Sequence, residues 1–407
     1  MNAGSGTRRL PPILVLTPSA DMYGSDRALL GALDELTHRF TVTIVAAVDG
    51  PMLDEARKLG VEVVVSPDWA LRRKFFTPLG IMPAMIRVAR SLWLLRTLDR
   101  TRHFRVVYAN TVANALLPFI RLALRLPLVV HVREVPRTSG RLNDIFFGQI
   151  SRVATTLICN SSYTAGFVGE QNPELATRIQ VIHNGVEPAP NLLGPLESRI
   201  HVIHDGVETA AEARPQGGGP DGSTLEVVCV GRIHPQKGQR VMIRALARGV
   251  AAGHDWRVHF WGDALDEHLP LLAELHALVA AEGLGERVIW HGYGADQAAL
   301  YDGMDVAVVP STWPEGFSLV TAEAQSAGLP AIATGPGGPT DIIEDGVTGR
   351  IIGFDDPVAL ADALIELEDP SVRAAWGAAG RARCLELFGM QRYAARVGDA
   401  LAEVALP

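Results

Sequence analysis

Cysteine is scarce in this chain and lysine equally so. The three cysteines, Cys159, Cys229 and Cys384, lie far apart and form no Cys-x-x-Cys pair, which argues against a disulfide framework or a zinc knuckle. Two of them, Cys159 and Cys229, sit inside apolar runs, as buried free thiols do, and a reducing cytoplasm suits them. An excess of cations is also missing. The formal charge is −8, the wrong sign for general affinity to nucleic acid. No run approaches the roughly 20 apolar residues of a membrane span, and the longest uncharged stretch, 324–340, is broken by glycines and prolines. The start, MNAGSGTRRLPP, carries two arginines but no apolar segment ahead of a cleavage site. No signal peptide is evident, and a cytoplasmic location is expected. There is no Asp-x-Asp pair either.

What is present is an ordinary globular composition, 48% hydrophobic and 20% charged, in a chain of 407 residues. That length suggests two or three domains. Short β-branched runs alternate with helix-patterned stretches. Strands are expected at 13–16, 42–48, 61–65, 106–108, 128–132 and 156–159. After a Gly-rich break at 216–223 the rhythm restarts, with strands expected at 225–230, 258–261, 288–290, 306–309 and 331–333. Near-continuous apolar runs of this kind suit parallel strands buried on both faces. Two βα series with a break between them predict an α/β chain of two doubly wound, Rossmann-like parallel-sheet domains. The expected division is 1–215, a linker at 216–223, a second domain at 224–384, and a last helix at 385–407 packing back on the first domain. In such sheets ligands sit outside the carboxyl ends of the strands. One repeat stands out: 178–189 recurs at 199–210 with nine of twelve positions identical. It reads as a local duplication, and the copy with Asn184-Gly185 is the one expected to supply a strand and hinge.

The segment Val230-Gly-Arg-Ile-His-Pro-Gln-Lys-Gly238 leaves a strand, turns at glycine and presents Arg232 and Lys237. A planar fork and a compact point charge at that place suit a diphosphate. An ordinary solvated loop is the plainer account, but composition weakens it. Only three of the 37 basic residues are lysine, namely Lys58, Lys74 and Lys237, and the third is confined between proline and glycine. A second segment runs from Pro310 through Trp313-Pro-Glu-Gly316 to Glu323. Turn residues followed by an apolar pattern from Leu319 predict a helix start there. The amides around Gly316, Phe317, Ser318 and Leu319 would face a phosphate. Glu315 in the loop and Glu323 on the second helical turn can each accept hydrogen bonds from vicinal hydroxyls. For Glu323 alone, an acid near a helix N-terminus is explanation enough. That leaves the glycine and the second acid unexplained.

These segments resemble those of the retaining glycosyltransferases of family 4, which have the GT-B fold. The resemblance rests on Gly231-Arg232…Lys237-Gly238, on the Glu-x7-Glu pair Glu315/Glu323, and on Gly328-Leu-Pro-Ala-Ile-Ala333. It extends to Gly337-Gly338…Gly346…Gly349 and to the linker at 182–186. It covers nearly the whole chain and is strongest over 225–350. What it implies is two Rossmann-like domains facing across a cleft, and transfer of a sugar from a nucleoside diphosphate, UDP or GDP, to an acceptor hydroxyl with retained configuration. Arg232 and Lys237 would grip the diphosphate, Glu315 the transferred sugar and Glu323 the ribose, with Tyr293 also in the donor pocket. Attack from the front face would need no protein nucleophile. In the first domain Gly24 stands in the family's Gly-rich loop, although Ser25 replaces the usual second glycine. His131, ending a strand, matches a histidine that faces the transferred sugar, and Arg133 and Glu134 are acceptor candidates. No tightly bound cofactor and no essential metal are expected.

Other readings stay open at this level. A nicotinamide dehydrogenase would need a Gly-x-Gly-x-x-Gly turn that residues 14–21 lack. A nucleotide-sugar 2-epimerase or a non-catalytic sugar-nucleotide-binding module could share the architecture. The acceptor is carbohydrate, lipid-linked or a small molecule. Residues 70–105 mix apolar side chains with Arg72, Arg73, Lys74, Arg87, Arg90, Arg96 and Arg100. Such a segment suits contact with an anionic membrane. Ideal helical spacing, however, points Arg87 and Arg90 away from Arg96 and Arg100, so a packed helix with snorkelling arginines competes.

Overall fold

The computed structural model describes residues 10–22, 24–67, 81–112, 117–135, 148–150, 152–171, 173–188, 224–294 and 297–406. The second repeat copy, the 216–223 break and Arg72, Arg73 and Lys74 lie outside the described residues. The chain divides into two compact units, Met1–Gly185 with Met390–Pro407, and Val186–Gly389.

The first unit holds seven parallel strands: β1 (Pro12–Thr17), β2 (Thr41–Ala46), β3 (Glu62–Val65), β4 (Val106–Ala109), β5 (Leu128–Val132), β6 (Thr156–Cys159) and β7 (Ile179–Val181). Their order is β3-β2-β1-β4-β5-β6-β7. β7 comes from the first repeat copy and pairs with β6. The helices are α1 (Gly24–Arg39), α2 (Pro51–Lys58), α3 (Ile81–Arg102), α4 (Leu117–Leu124) and α5 (Ser162–Gln171). The five inner strands, β2, β1, β4, β5 and β6, are buried on both faces because helices cover each side, which is why their sequences run apolar without alternation. The edge strands β3 and β7 are only part-buried.

The second unit repeats the plan. Its strands are β8 (Leu225–Val230), β9 (Trp256–Trp261), β10 (Val288–Gly292), β11 (Val306–Val309), β12 (Ala331–Thr334) and β13 (Gly349–Ile352). They run parallel in the order β10-β9-β8-β11-β12-β13. Between and after them lie α6 (Gln239–Ala251), α7 (Leu269–Ala281), α8 (Gln297–Tyr301), α9 (Leu319–Ser326), α10 (Pro339–Ile342), α11 (Pro357–Glu366) and α12 (Pro370–Phe388). Strand β13 escapes sequence reading because it is four residues long and opens on a glycine. In both sheets the order reverses beside the first strand, at β1/β4 and β8/β11. That reversal splays the following loops apart and opens a crevice at the carboxyl ends.

The last helix, α13 (Met390–Ala405), belongs to the first unit. Its buried positions Tyr393, Ala394, Val397, Ala400 and Leu401 recur at helical spacing and share a core with Leu29, Leu33 and Leu36 of α1. Burying each of the larger aliphatic side chains there contributes about 1.5–3 kcal/mol. Arg39 of α1 adds an ion pair with Asp399 at 2.9 Å, an exposed contact of little weight. In α3 the structure revises the expected split of arginines. Arg90, Arg96 and Arg100 are all exposed, because Ser91 and Leu95 fix the buried side and the remaining arc is wide enough for all three.

Candidate active site

The best-formed site belongs to the second unit, at the carboxyl ends of β8, β11 and β12. Beyond β8 the chain turns at Gly231, whose φ of +155° is open to glycine but strained for other residues. A Cβ there would also lie 3.3 Å from the Lys237 side chain. Arg232 follows, exposed at the rim. The short turn Pro235–Lys237 is capped by His234, whose Nδ1 accepts from the Gln236 N–H at 3.1 Å. Gly238, with φ +64°, starts α6 pressed against the Pro310 carbonyl, where a side chain would collide. The β8 and β11 loops are also stitched directly. The Thr312 N–H donates to the Gln236 carbonyl at 2.8 Å, and its hydroxyl donates to the Pro235 carbonyl at 2.9 Å.

This stitching sets Lys237 against Glu315. The Lys237 Nζ donates to the Glu315 Oε1 at 2.6 Å, and the Ser311 hydroxyl donates to the same oxygen at 2.5 Å. Glu315 is 9% exposed. Burial is the largest influence on its carboxyl and would raise the pKa. The charge of Lys237 and hydrogen bonds from Lys237, Ser311 and Ser318 outweigh it, so the carboxyl is held below the usual glutamate range. The backbone is held as firmly, for the Gly338 N–H beyond β12 donates to the Glu315 carbonyl at 2.8 Å. Sequence reading assigned Lys237 and Glu315 to different parts of a donor. The structure joins the two side chains as a pair.

Helix α9 begins just after this turn. Ser318 is its N-cap in a left-handed conformation, φ 78° and ψ 80°, with its hydroxyl 2.8 Å from that of Thr321. By the geometry of any helix start, the amides from Ser318 to Thr321 have no acceptor within the helix. Glu323 is 5% exposed on the second turn, and the buried Tyr301 hydroxyl donates to its Oε2 at 3.5 Å. Phe317 is buried and packs edge-on against Phe388 at 5.5 Å, anchoring the turn from below. Tyr293 stands 66% exposed just past β10, two strands from β8. Sequence reading missed Ser311, whose hydroxyl serves Glu315, and Tyr301, which reaches Glu323 from α8. Ser311 lies within the second motif segment, but no spacing rule marks its hydroxyl, and Tyr301 lies outside both segments.

In the first unit Gly24 is exposed as the first residue of α1. Two residues on, the Asp26 carboxylate is buried and accepts from the Ser19 hydroxyl at 2.8 Å and the Asp21 N–H at 3.0 Å, and burial raises its pKa. His131 is not at a surface. It is fully buried, with Nδ1 2.8 Å from the Tyr108 hydroxyl, and burial and the nearby Arg133 charge keep its ring neutral. The reason is its position in β5, which places the ring inside the sheet's helical cover and not at the open strand end. Arg133 is buried too and is fully occupied in holding the chain together. It donates to the Asn110 carbonyl at 2.9 Å, the Asn110 side chain at 2.9 Å, Asn184 at 2.7 Å and the Tyr393 hydroxyl at 2.9 Å. That fork ties the ends of β4 and β5 to the linker and to α13. Of the two acceptor candidates, Glu134 alone is exposed.

Comparison with known proteins gives two matches covering most of the chain. A family model described as Glycosyltransferase Family 4 matches residues 24–189, and one described as Glycosyl transferases group 1 matches residues 224–369. The lipopolysaccharide core biosynthesis mannosyltransferase LpsB of Rhizobium meliloti is 33% identical over 171 residues, covering 41% of this chain and 48% of LpsB. The human alpha-1,3/1,6-mannosyltransferase ALG2 is 26% identical, with 94% of each chain covered. Apart from that alignment, the chain spans about half the length of the curated relatives it matches. Among solved structures, Anabaena HepE in complex with UDP and glucose superposes with a TM-score of 0.75 at 23% identity, covering 96% of this chain and 99% of HepE. Each half thus matches a glycosyltransferase family model, and the chain has the two-unit α/β architecture of the GT-B fold.

Proposed function

We propose that this protein transfers a sugar from a nucleoside diphosphate to an acceptor hydroxyl with retention of configuration. The observation that carries this reading is the Lys237–Glu315 pair, set at 2.6 Å in the turn that starts α9, where the strand order reverses. The costly event is breaking the bond to the diphosphate, so the protein must meet negative charge growing on the leaving group. Lys237, Arg232 and the amides from Ser318 onward form a preorganised positive field for it. Removing one such donor typically costs about 10²–10³ in rate. Lys237 has three N–H donors and Glu315 engages one, so the ammonium can serve the diphosphate while it stays paired. Glu315 then accepts from hydroxyls of the transferred sugar, Glu323 holds the ribose, and Tyr293 lies beside the base. The leaving phosphate takes the acceptor proton. Neither a protein nucleophile nor a metal takes part.

UDP and GDP are the donors of choice. HepE was solved with UDP and glucose, and LpsB and ALG2 are named mannosyltransferases. The acceptor is carbohydrate or lipid-linked, reached from the inner face of a membrane. A thermal-shift panel of UDP, GDP, ADP and dTDP sugars tests the donor, since a ligand that binds only the native state raises its melting point. One nucleotide series should shift it. Product analysis with and without acceptor then separates transfer from isomerisation of the free donor. No shift with any of the four series, or a shift unchanged in Glu323→Ala, would remove the basis of this reading.

A further inference from the structure

Helix α3 carries a surface that the donor site does not use. Met82 and Trp93 are each 69% exposed, and Met85 and Ile86 are nearly as open. With exposed Ala89 between them they recur at three- and four-residue steps, which is one continuous stripe of a helix. Arg90, Arg96 and Arg100 stand on the same exposed arc and carry the stripe to the end of the helix. Phe119 of the neighbouring α4 is also exposed. The one acid in the helix, Asp99, turns inward to accept from the Phe104 N–H at 3.2 Å. Arg96 reaches the Ala123 carbonyl through Nε at 3.3 Å while its side chain stays exposed, and Arg102, off this arc, pairs with Glu62 at 2.6 Å. The stripe is therefore cationic and apolar in a chain whose net charge is −8.

A soluble surface gains nothing from exposing a tryptophan, two methionines and an isoleucine side by side. A protein partner would have to match three arginines as well. An anionic bilayer offers both complements at once, headgroup charge for the guanidinium groups and acyl chains for the apolar side chains. No described helix is long and apolar enough to cross a membrane, so the contact is one of lying on the surface. We propose that α3 docks this protein on an anionic lipid surface, with Trp93, Met82 and Met85 inserted and Arg90, Arg96 and Arg100 at headgroup level. This deepens the membrane-facing placement proposed above and rests on that reading for the setting, but not on the identity of the donor.

The test is co-sedimentation of the full chain with vesicles of phosphatidylcholine alone and of phosphatidylcholine with phosphatidylglycerol. Binding is expected only to the second, and it should weaken as salt shortens the reach of surface charge to about 10 Å near 0.1 M. Each of Arg90→Gln, Arg96→Gln and Arg100→Gln should lower binding about fivefold. Trp93→Ala should lower it roughly tenfold. All four variants should keep the wild-type melting point and the wild-type nucleotide-sugar shift, which separates failure of this proposal from failure of the donor reading. Equal binding to both vesicle types, wild-type binding by Trp93→Ala, or light scattering showing that the stripe instead joins two copies of the chain would overturn it.

Discussion

Replacing Lys237 by methionine keeps an unbranched side chain, one atom shorter, and removes the ammonium with its charge and donors, which makes Lys237→Met a sharp probe of the site. Glu315 would be left 9% exposed with its cation gone. Removing one partner of a buried pair costs about 3–5 kcal/mol. Lys237 is 27% exposed, so water can reach the place it vacates, and the low end, about 3 kcal/mol, applies. For a unit of this size that lowers the melting point by about 6–12 °C. Five of the seven tryptophans (Trp256, Trp261, Trp290, Trp313 and Trp376) lie in the second unit, so intrinsic fluorescence reports its unfolding. The pH dependence should change sign between the two proteins. In the wild type the Glu315 pKa is depressed on folding, so its contribution is fully present above the ordinary glutamate pKa and is lost as pH falls through the folded value. In Lys237→Met, burial is no longer opposed by the cation, and the folded pKa should rise above the unfolded one. The carboxyl then favours the fold at low pH and opposes it as pH rises through the folded value. The deficit relative to wild type should thus shrink on acidification. The double variant Lys237→Met/Glu315→Gln, which removes the stranded charge, should recover to within about 1 kcal/mol of wild type, yet neither variant should bind a nucleotide sugar. A single variant as stable as wild type at neutral pH, or a double variant no better than the single, would refute the account of the pair.

Other consequences can be checked separately. Arg133→Lys keeps the charge but cannot reproduce a fork that serves Asn110, Asn184 and Tyr393 together. It should cost about 2–4 kcal/mol, and hydrogen exchange should show α13 opening more readily. Ser318→Gly relieves a left-handed backbone at φ 78° but loses the hydroxyl's contacts to Thr321 and to the Glu315 carboxyl. With each term about 1 kcal/mol, the net loss should be about 1 kcal/mol in a melting experiment. Ser318→Val keeps the strain, loses the contacts and should destabilise clearly. Glu323→Gln should leave the melting point almost unchanged and weaken nucleotide-sugar binding at least tenfold by titration calorimetry, because a charged acceptor becomes a neutral one.

The architecture was largely legible in the chain itself. Apolar runs without alternation announced strands buried on both faces, and their two series announced two units. The order Gly231, Arg232, Lys237, Gly238 and the spacing of Glu315 and Glu323 marked the candidate site because glycine at positive φ, a scarce lysine and a helix start are local properties. What contact alone decided lay at longer range. Lys237 and Glu315 are 78 residues apart, and no spacing rule pairs them; the parallel neighbours β8 and β11 do. His131 looked like a strand-end residue, but how deep a ring sits depends on which elements cover its sheet, here α13 from the far end of the chain. Arg133 looked open to a ligand for the same reason, until Asn184 and Tyr393 closed around it. In α3, spacing fixed the angles between the arginines, but only Ser91 and Leu95 packing inward fixed which arc faces water. Local sequence sets conformation and chemistry. Burial and partnership depend on surfaces brought together by folding, and these the tertiary structure decided.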